Sequence, residues 1–207
     1  MILHDKVWKY KECDIRDAKN VLDSMQISDV SKSLLFKRKI DTEEAARKFL
    51  YPDINDFYNP FELDGMNDAV DCINKAMENK EKIWIYGDYD VDGITSTSLL
   101  IKTFRYLEYE VDYYIPDRKK EGYGINNDAL KYIKDCGGDL LITVDCGITS
   151  VNEAIYAREI GLGLIITDHH ECQEEIPSAL AVINPQKPSC NYKFDMLAGV
   201  GIALKLA

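Results

Sequence analysis

Five short runs of apolar and β-branched residues recur along most of the chain: IWIY (83–86), VDYYI (111–115), LLITV (140–144), LGLIIT (162–167) and AVIN (181–184). Stretches with helical spacing lie between them. Residues 96–108 place Leu100, Phe104 and Leu107 on one face. Residues 127–136 do the same with Ala129, Tyr132, Ile133 and Cys136 and stop at Gly137-Gly138. Residues 150–160 open with Ser150 and Glu153, the spacing of a capping box. Strands joined by helices of this length pair in parallel through right-handed crossovers. The predicted fold class is α/β, a parallel sheet with helices on both faces.

A small, mainly helical and irregular segment is expected to precede it, giving two regions, 1–60 and 61–207. In the first, DTEEAARKFL (41–50) reads as a helix capped by Asp41, with Glu44 three residues on and Pro52 beyond the stop. YPDINDFYNPF (51–61) reads as an irregular connector.

The residues that follow the runs carry the chemistry. IWIYG leads into Asp88-Tyr89-Asp90-Val91-Asp92-Gly93, VDYYIP into Asp117-Arg118-Lys119-Lys120, LLITV into Asp145-Cys146-Gly147, and LGLIIT into Asp168-His169-His170-Glu171. In an open parallel sheet the carboxyl ends of the strands share one edge, and ligands bind there. The pattern therefore delivers aspartates and a histidine pair from distant positions to a single rim. Alternating Asp88, Asp90 and Asp92 repel one another unless a cation sits among them.

Simpler explanations account for less. DYDVDG copies the start of a calcium-binding helix–loop–helix, but its twelfth position is Leu99 where a bidentate Glu is required, and a strand precedes it rather than a helix. Turn formation or helix capping explains Asp92 or Asp145 alone but not three alternating acids plus two more at equivalent strand ends. Of three histidines, two stand together behind Asp168, which is placed to fix the tautomer of a metal-bound imidazole. The cysteines near the rim, Cys146 and Cys172, have no partner at a zinc-thiolate spacing. Carboxylates with one or two imidazoles suit Mg2+ and, with the histidine, Mn2+. So many acids can hold two ions about 3.5–4 Å apart across a shared carboxylate, a pair suited to phosphoester hydrolysis with no covalent intermediate.

The net charge of −11, from 36 acidic and 25 basic residues, argues against broad phosphate binding by the bare surface, although bound cations would reverse the field locally. Six scattered cysteines fit a reduced, cytoplasmic compartment. The polar start, MILHDKVWKYKECD, does not read as a signal peptide, and no apolar run approaches the roughly 20 residues of a membrane span. No membrane partner is expected.

Taken together, GDYDVDG, VDCG and TDHHE resemble the DHH phosphoesterase superfamily, and within it the branch of single-strand-specific exonucleases. NPFELDGMNDAVDCINKAMENKEKIWIYGDYDVDGITSTSLL, YYIPDRKKEGYGIN, AVINPQ and LAGVGIALKL extend the resemblance over about residues 48–207. It implies a Mn2+- or Mg2+-dependent enzyme, with two ions in the full-length protein, that degrades single-stranded DNA from the 5′ end in recombination and repair. Single-strand-binding protein and a helicase are the protein partners it suggests. Carried over by residue, Asp88, Asp90, Asp92, Asp145 and His169 are expected metal ligands, with Asp145 bridging. His170, Asp168 and Asp145 are expected catalytic residues: His170 at the scissile phosphate, Asp168 orienting the histidines. Arg118 and Lys119 would bind phosphate, and Tyr123 would stack on a base.

The resemblance also implies a further metal-binding Asp beyond LAGVGIALKL, a second domain and an oligonucleotide-binding fold, none of them in this sequence. The expectation is an N-terminal piece of a longer enzyme, weakly active or inactive alone. The competing readings are a DHH phosphoesterase acting on short oligoribonucleotides or cyclic dinucleotides, and a metal-free DHH-like scaffold.

Overall fold

The computed structural model of the chain describes residues 22–207, so His4 and Cys13 lie outside the described residues. Two compact units result, one ending at Phe57 and one running from Tyr58 to Ala207. In the first, helices α1 (Asp29–Lys37) and α2 (Glu43–Leu50) enclose a small core of Leu22, Met25, Leu35 and Ala46. Thr42, not Asp41, caps α2. Its backbone is extended (φ −125°, ψ 149°) and its hydroxyl accepts the Ala45 N–H at 3.2 Å, so Asp41 stands one residue too far back to serve the first turn. The expected connector holds two short 3₁₀ turns, Ile54–Asp56 and Pro60–Glu62.

The second unit is built on five parallel strands: β1 (Ile83–Gly87), β2 (Asp112–Tyr114), β3 (Leu140–Val144), β4 (Gly163–Thr167) and β5 (Ala181–Ile183), in the order β2-β1-β3-β4-β5. Successive side chains of a strand point to opposite faces. Ile83 and Ile85 therefore join Leu140, Ile142, Val144, Ile165 and Ile183 on one face, under α3 (Met66–Glu78), α4 (Val91–Tyr106) and α7 (Gly199–Leu206). Trp84 and Tyr86 join Leu141, Leu164 and Ile166 on the other, under α5 (Asn127–Asp135) and α6 (Val151–Glu159). Burial on both faces is why the strands read as near-continuous apolar runs. Each wholly buried Ile or Leu contributes roughly 1.5–3 kcal/mol relative to exposure.

Three local details depart from the sequence reading. Helix α4 starts at Val91 rather than Ser96, because the Asp90 carboxylate accepts the Asp92 and Gly93 N–H groups at 2.8 and 3.1 Å and caps it. A Cβ at Gly93 would lie 2.3 Å from the Asp88 carbonyl oxygen, so only glycine lets the helix start this close to β1. Ser150 precedes α6 but makes no capping bond, since its backbone (φ −89°, ψ 58°) is not extended. The edge strand β2 is shorter than its apolar run.

The order of the sheet reverses between β1 and β3: from β1 the chain moves outward to β2, then returns to lay β3 on the other side. Connections leave in opposite directions there, and a crevice opens at the carboxyl ends. Asp88 and Asp145 follow those two strands.

Candidate metal centre

Asp88 directly follows β1, and its Oδ1 is buried with no hydrogen-bond partner. Burial raises its pKa, and the neighbouring Asp90 charge adds to the rise against a backbone hydrogen bond from Tyr89 that opposes it. Asp145 follows β3 with a left-handed backbone (φ 61°) that turns its carboxyl toward the β1 loop. Its Oδ1 is also buried and unpartnered. His169 Nε2 comes within 3.0 Å of that oxygen, but off the direction a hydrogen bond requires, so the oxygen stays unsatisfied. Burial, then the charges of Asp92 and Asp90, push Asp145 up to about 8.

Asp168 follows β4 and is as deeply buried, yet its situation is opposite. Oδ1 accepts the N–H groups of His169 and His170 at 2.7 and 3.1 Å, and Oδ2 that of Ile148 at 2.9 Å. His170 Nδ1 lies 2.7 Å from Oδ1. Burial alone would raise this carboxyl. The His170 hydrogen bond and the backbone donors outweigh it and hold Asp168 below its ordinary value. The same bond raises the His170 pKa. Asn184 Nδ2 donates to the His170 carbonyl and Gln186 Nε2 to that of His169, at 2.9 and 2.8 Å, so both histidines have a fixed backbone.

Two groups offer ligand atoms within 4.8 Å of one another, Asp88/Asp90/Asp145 and Asp145/His169/His170, with Asp145 common to both. Neither includes a cysteine. Asp92 stands apart. Its Oδ2 accepts the Gly199 N–H and its Oδ1 the Val200 N–H, each at 2.7 Å, although Oδ2 also lies 3.6 Å from His169 Nε2. Both oxygens thus meet the amino end of α7, where the unpaired amides and the helix dipole favour an anion. A Cβ on Gly199 would lie 2.7 Å from Asp145 Oδ1, so the start of α7 also forms one wall beside that acid.

The remaining predicted residues divide. Arg118 lies over the Tyr89 ring at 5.1 Å, beside the first aspartate loop. Lys119 is exposed, and its backbone N–H donates to Asp117 Oδ1 at 2.8 Å. The Tyr123 hydroxyl lies 3.1 Å from His170 Nδ1, with the rings edge to face at 5.7 Å. Sequence reasoning missed Gly199, Val200 and Ile148, which act through backbone N–H groups that no residue type announces. Asn184 and Gln186 were within reach of the strand-end rule, since they follow β5 as Asp168 follows β4.

The donor set fits a divalent cation. Burying an unpaired carboxylate oxygen costs several kcal/mol, and two of them converge here with an imidazole. Hard oxygen donors with one or two nitrogens match Mn2+ or Mg2+, and Asp145 is common to both groups.

Several known proteins resemble this chain in sequence and fold. The single-stranded-DNA-specific exonuclease RecJ of Bacillus subtilis is 50% identical over 200 residues, 97% of this chain and 25% of that protein. A crystal structure of exonuclease RecJ bound to manganese superposes with a TM-score of 0.64 at 34% identity, over 70% of this chain and 36% of the other. RecJ of Thermus thermophilus in complex with Mn2+ gives a TM-score of 0.70 at 25% identity, over 94% of this chain and 26% of the other. The chain spans about a quarter of the length of the curated relatives it matches. The DHH family, N-terminal domain, matches residues 82–207, a span that takes in all five strands and every acid and histidine at the rim, and this chain belongs to that family.

Proposed function

We propose that the protein containing this chain hydrolyses single-stranded DNA from its 5′ end, and that residues 61–207 form the DHH domain that supplies most of its metal centre. The observation that carries the reading is the pair of buried, unpartnered oxygens, Asp88 Oδ1 and Asp145 Oδ1, facing one crevice. Asp88, Asp90, Asp145 and His169 would hold two Mn2+ or Mg2+ ions, Asp145 serving both. When bound, the ions supply Lewis acidity and charge neutralisation at the phosphoryl group.

The chain's own residues do the rest. His170, held by Asp168, faces the scissile phosphate. Arg118 offers a guanidinium to the strand backbone, with Lys119 as a looser, solvated contact. Asp92 is assigned to holding the start of α7 against the site rather than to ligation. The names of the relatives support the substrate, and the manganese-bound crystal structure supports the ion.

Among the described residues no helix is long and apolar enough to cross a membrane. The setting proposed is the cytoplasm, in DNA recombination and repair, with single-strand-binding protein and a helicase as partners. The net charge of −11 implies that the basic surface gripping the strand belongs to other parts of the whole protein, so this chain alone is expected to cut weakly or not at all.

The test is Mn2+-dependent release of mononucleotides by the full-length protein from 5′- and 3′-labelled single strands. Release from the 5′ end supports the reading. Preference for cyclic dinucleotides or short oligoribonucleotides overturns the substrate, and absence of Mn2+ binding by calorimetry favours a non-catalytic scaffold.

A further inference from the structure

The loop carrying Tyr123 is built to hold that side chain still. Glu121 is fixed three ways: its carboxylate accepts the Asp117 N–H at 2.7 Å, the Tyr114 hydroxyl at 2.7 Å and Asn126 Nδ2 at 3.2 Å. The Gly124 carbonyl accepts the hydroxyl of the wholly buried Tyr86 at 2.8 Å. Gly122 and Gly124 both take left-handed backbone (φ 81° and 88°), and the residue between them is turned onto the His170 ring.

Hydrogen accounting then decides what the phenol does. Asp168 takes three backbone N–H groups and so acts as an acceptor-only carboxylate. His170 Nδ1, at 2.7 Å, therefore carries the hydrogen and donates it to Asp168. Tyr123 Oη, at 3.1 Å from that protonated nitrogen, cannot donate to it. Among the described residues no other acceptor takes a hydrogen bond from the phenol, and about half of the residue is open to solvent at the rim.

We propose that Tyr123 is a phosphate-binding residue: seated against the Nδ1 edge of His170, it donates its hydroxyl hydrogen to a non-bridging oxygen of the phosphodiester in the metal centre. This rests on the metal-dependent reading above, and it replaces base stacking with a base-independent hydrogen bond.

The experiment uses the 207-residue chain and its Tyr123→Phe and Tyr123→Leu variants. Calorimetric uptake of Mn2+ is measured first. Each Mn2+-loaded form is then titrated with two probes, thymidine 5′-monophosphate and base-free 2-deoxyribose 5-phosphate. Tyr123→Phe is expected to weaken both probes equally, by about tenfold, with Tyr123→Leu little worse. In the full-length protein the same Phe variant is expected to lower kcat with KM for long strands unchanged. Unaltered binding by Tyr123→Phe overturns the proposal, as does a loss confined to Tyr123→Leu and the base-bearing probe, which is the signature of stacking. Mn2+ uptake without probe binding by the unsubstituted chain also overturns it. No Mn2+ uptake overturns the metal reading first, and this proposal with it.

Discussion

The two ends of the sheet treat their acids differently. At the amino rim the Lys82 N–H donates to Asp139 Oδ2 at 2.9 Å, the Asp139 N–H returns to the Lys82 carbonyl at 2.9 Å, and the Lys82 ammonium meets Asp112 at 2.8 Å. That edge is closed with its own donors. At the carboxyl rim Asp88 and Asp145 are left with buried oxygens that nothing among the described residues satisfies. Even within this rim the contrast holds: Asp168 and Asp145 are 1% and 2% exposed, yet one carboxyl is held down and the other is pushed up to about 8. Burial is common to both, so the supply of donors decides which carboxyl is satisfied within the protein and which is left free to take the proposed cation.

The sharpest break in that contrast is Asp145→Asn. The amide suits the left-handed backbone, removes the charge, and is expected to cost a hundredfold or more in Mn2+ affinity by calorimetry, about 3 kcal/mol. The metal-free chain should melt higher at pH 8, by about 1–2 kcal/mol of stability, since an unsatisfied anion is gone. Asp168→Ala should act the other way, costing about 2–3 kcal/mol of stability in thermal or denaturant melts, because buried N–H groups lose their acceptor.

A gentler probe is pH. Asp145 sits at about 8 when folded, above the roughly 3.9 of an unfolded aspartate. Its protonation therefore favours the metal-free fold fully below about pH 4, and that contribution is lost as pH rises through about 8. An incoming ion must displace the proton, so Mn2+ affinity should climb by up to about tenfold per unit and level off above about pH 8. A flat profile between pH 6 and 8 would count against Asp145 as a shared ligand. The smallest effect is expected at the closed end. Lys82→Ala breaks an exposed pair, should barely move the melting midpoint, and should leave Mn2+ binding unchanged.

Much of this was legible in the order of residue types. A strand buried on both faces must be written in apolar residues, so all five strands could be read directly, and the acids at their ends fell to one rim by topology alone. Local competition was less visible. Asp90 and Asp92 look alike in DYDVDG, but one caps its own helix and the other reaches the amides of Gly199 and Val200, far along the chain. Nothing in the spacing separates a carboxylate that meets backbone N–H groups from one that meets none. The seat of Tyr123 against His170 was hidden for the same reason, because it lies between two left-handed glycines in a loop held by the bonds to Glu121. The sequence offered Tyr123 for a base and Asp92 for a metal; in the structure the phenol lies 3.1 Å from His170 Nδ1, and the Asp92 carboxylate accepts two N–H groups of α7.

The backbone of Asp145 has an evolutionary corollary. A left-handed φ of 61° favours glycine, asparagine and aspartate over most other residues. The genetic code places both neutral members of that set one base change from aspartate. Loss of the proposed shared ligand is thus a short step, and one expected to relieve the fold instead of damaging it. A lineage released from selection for metal chemistry would drift toward Asn or Gly at this position while keeping its sheet, and the residue found there in a related sequence is a one-letter indicator of whether the centre is still in use.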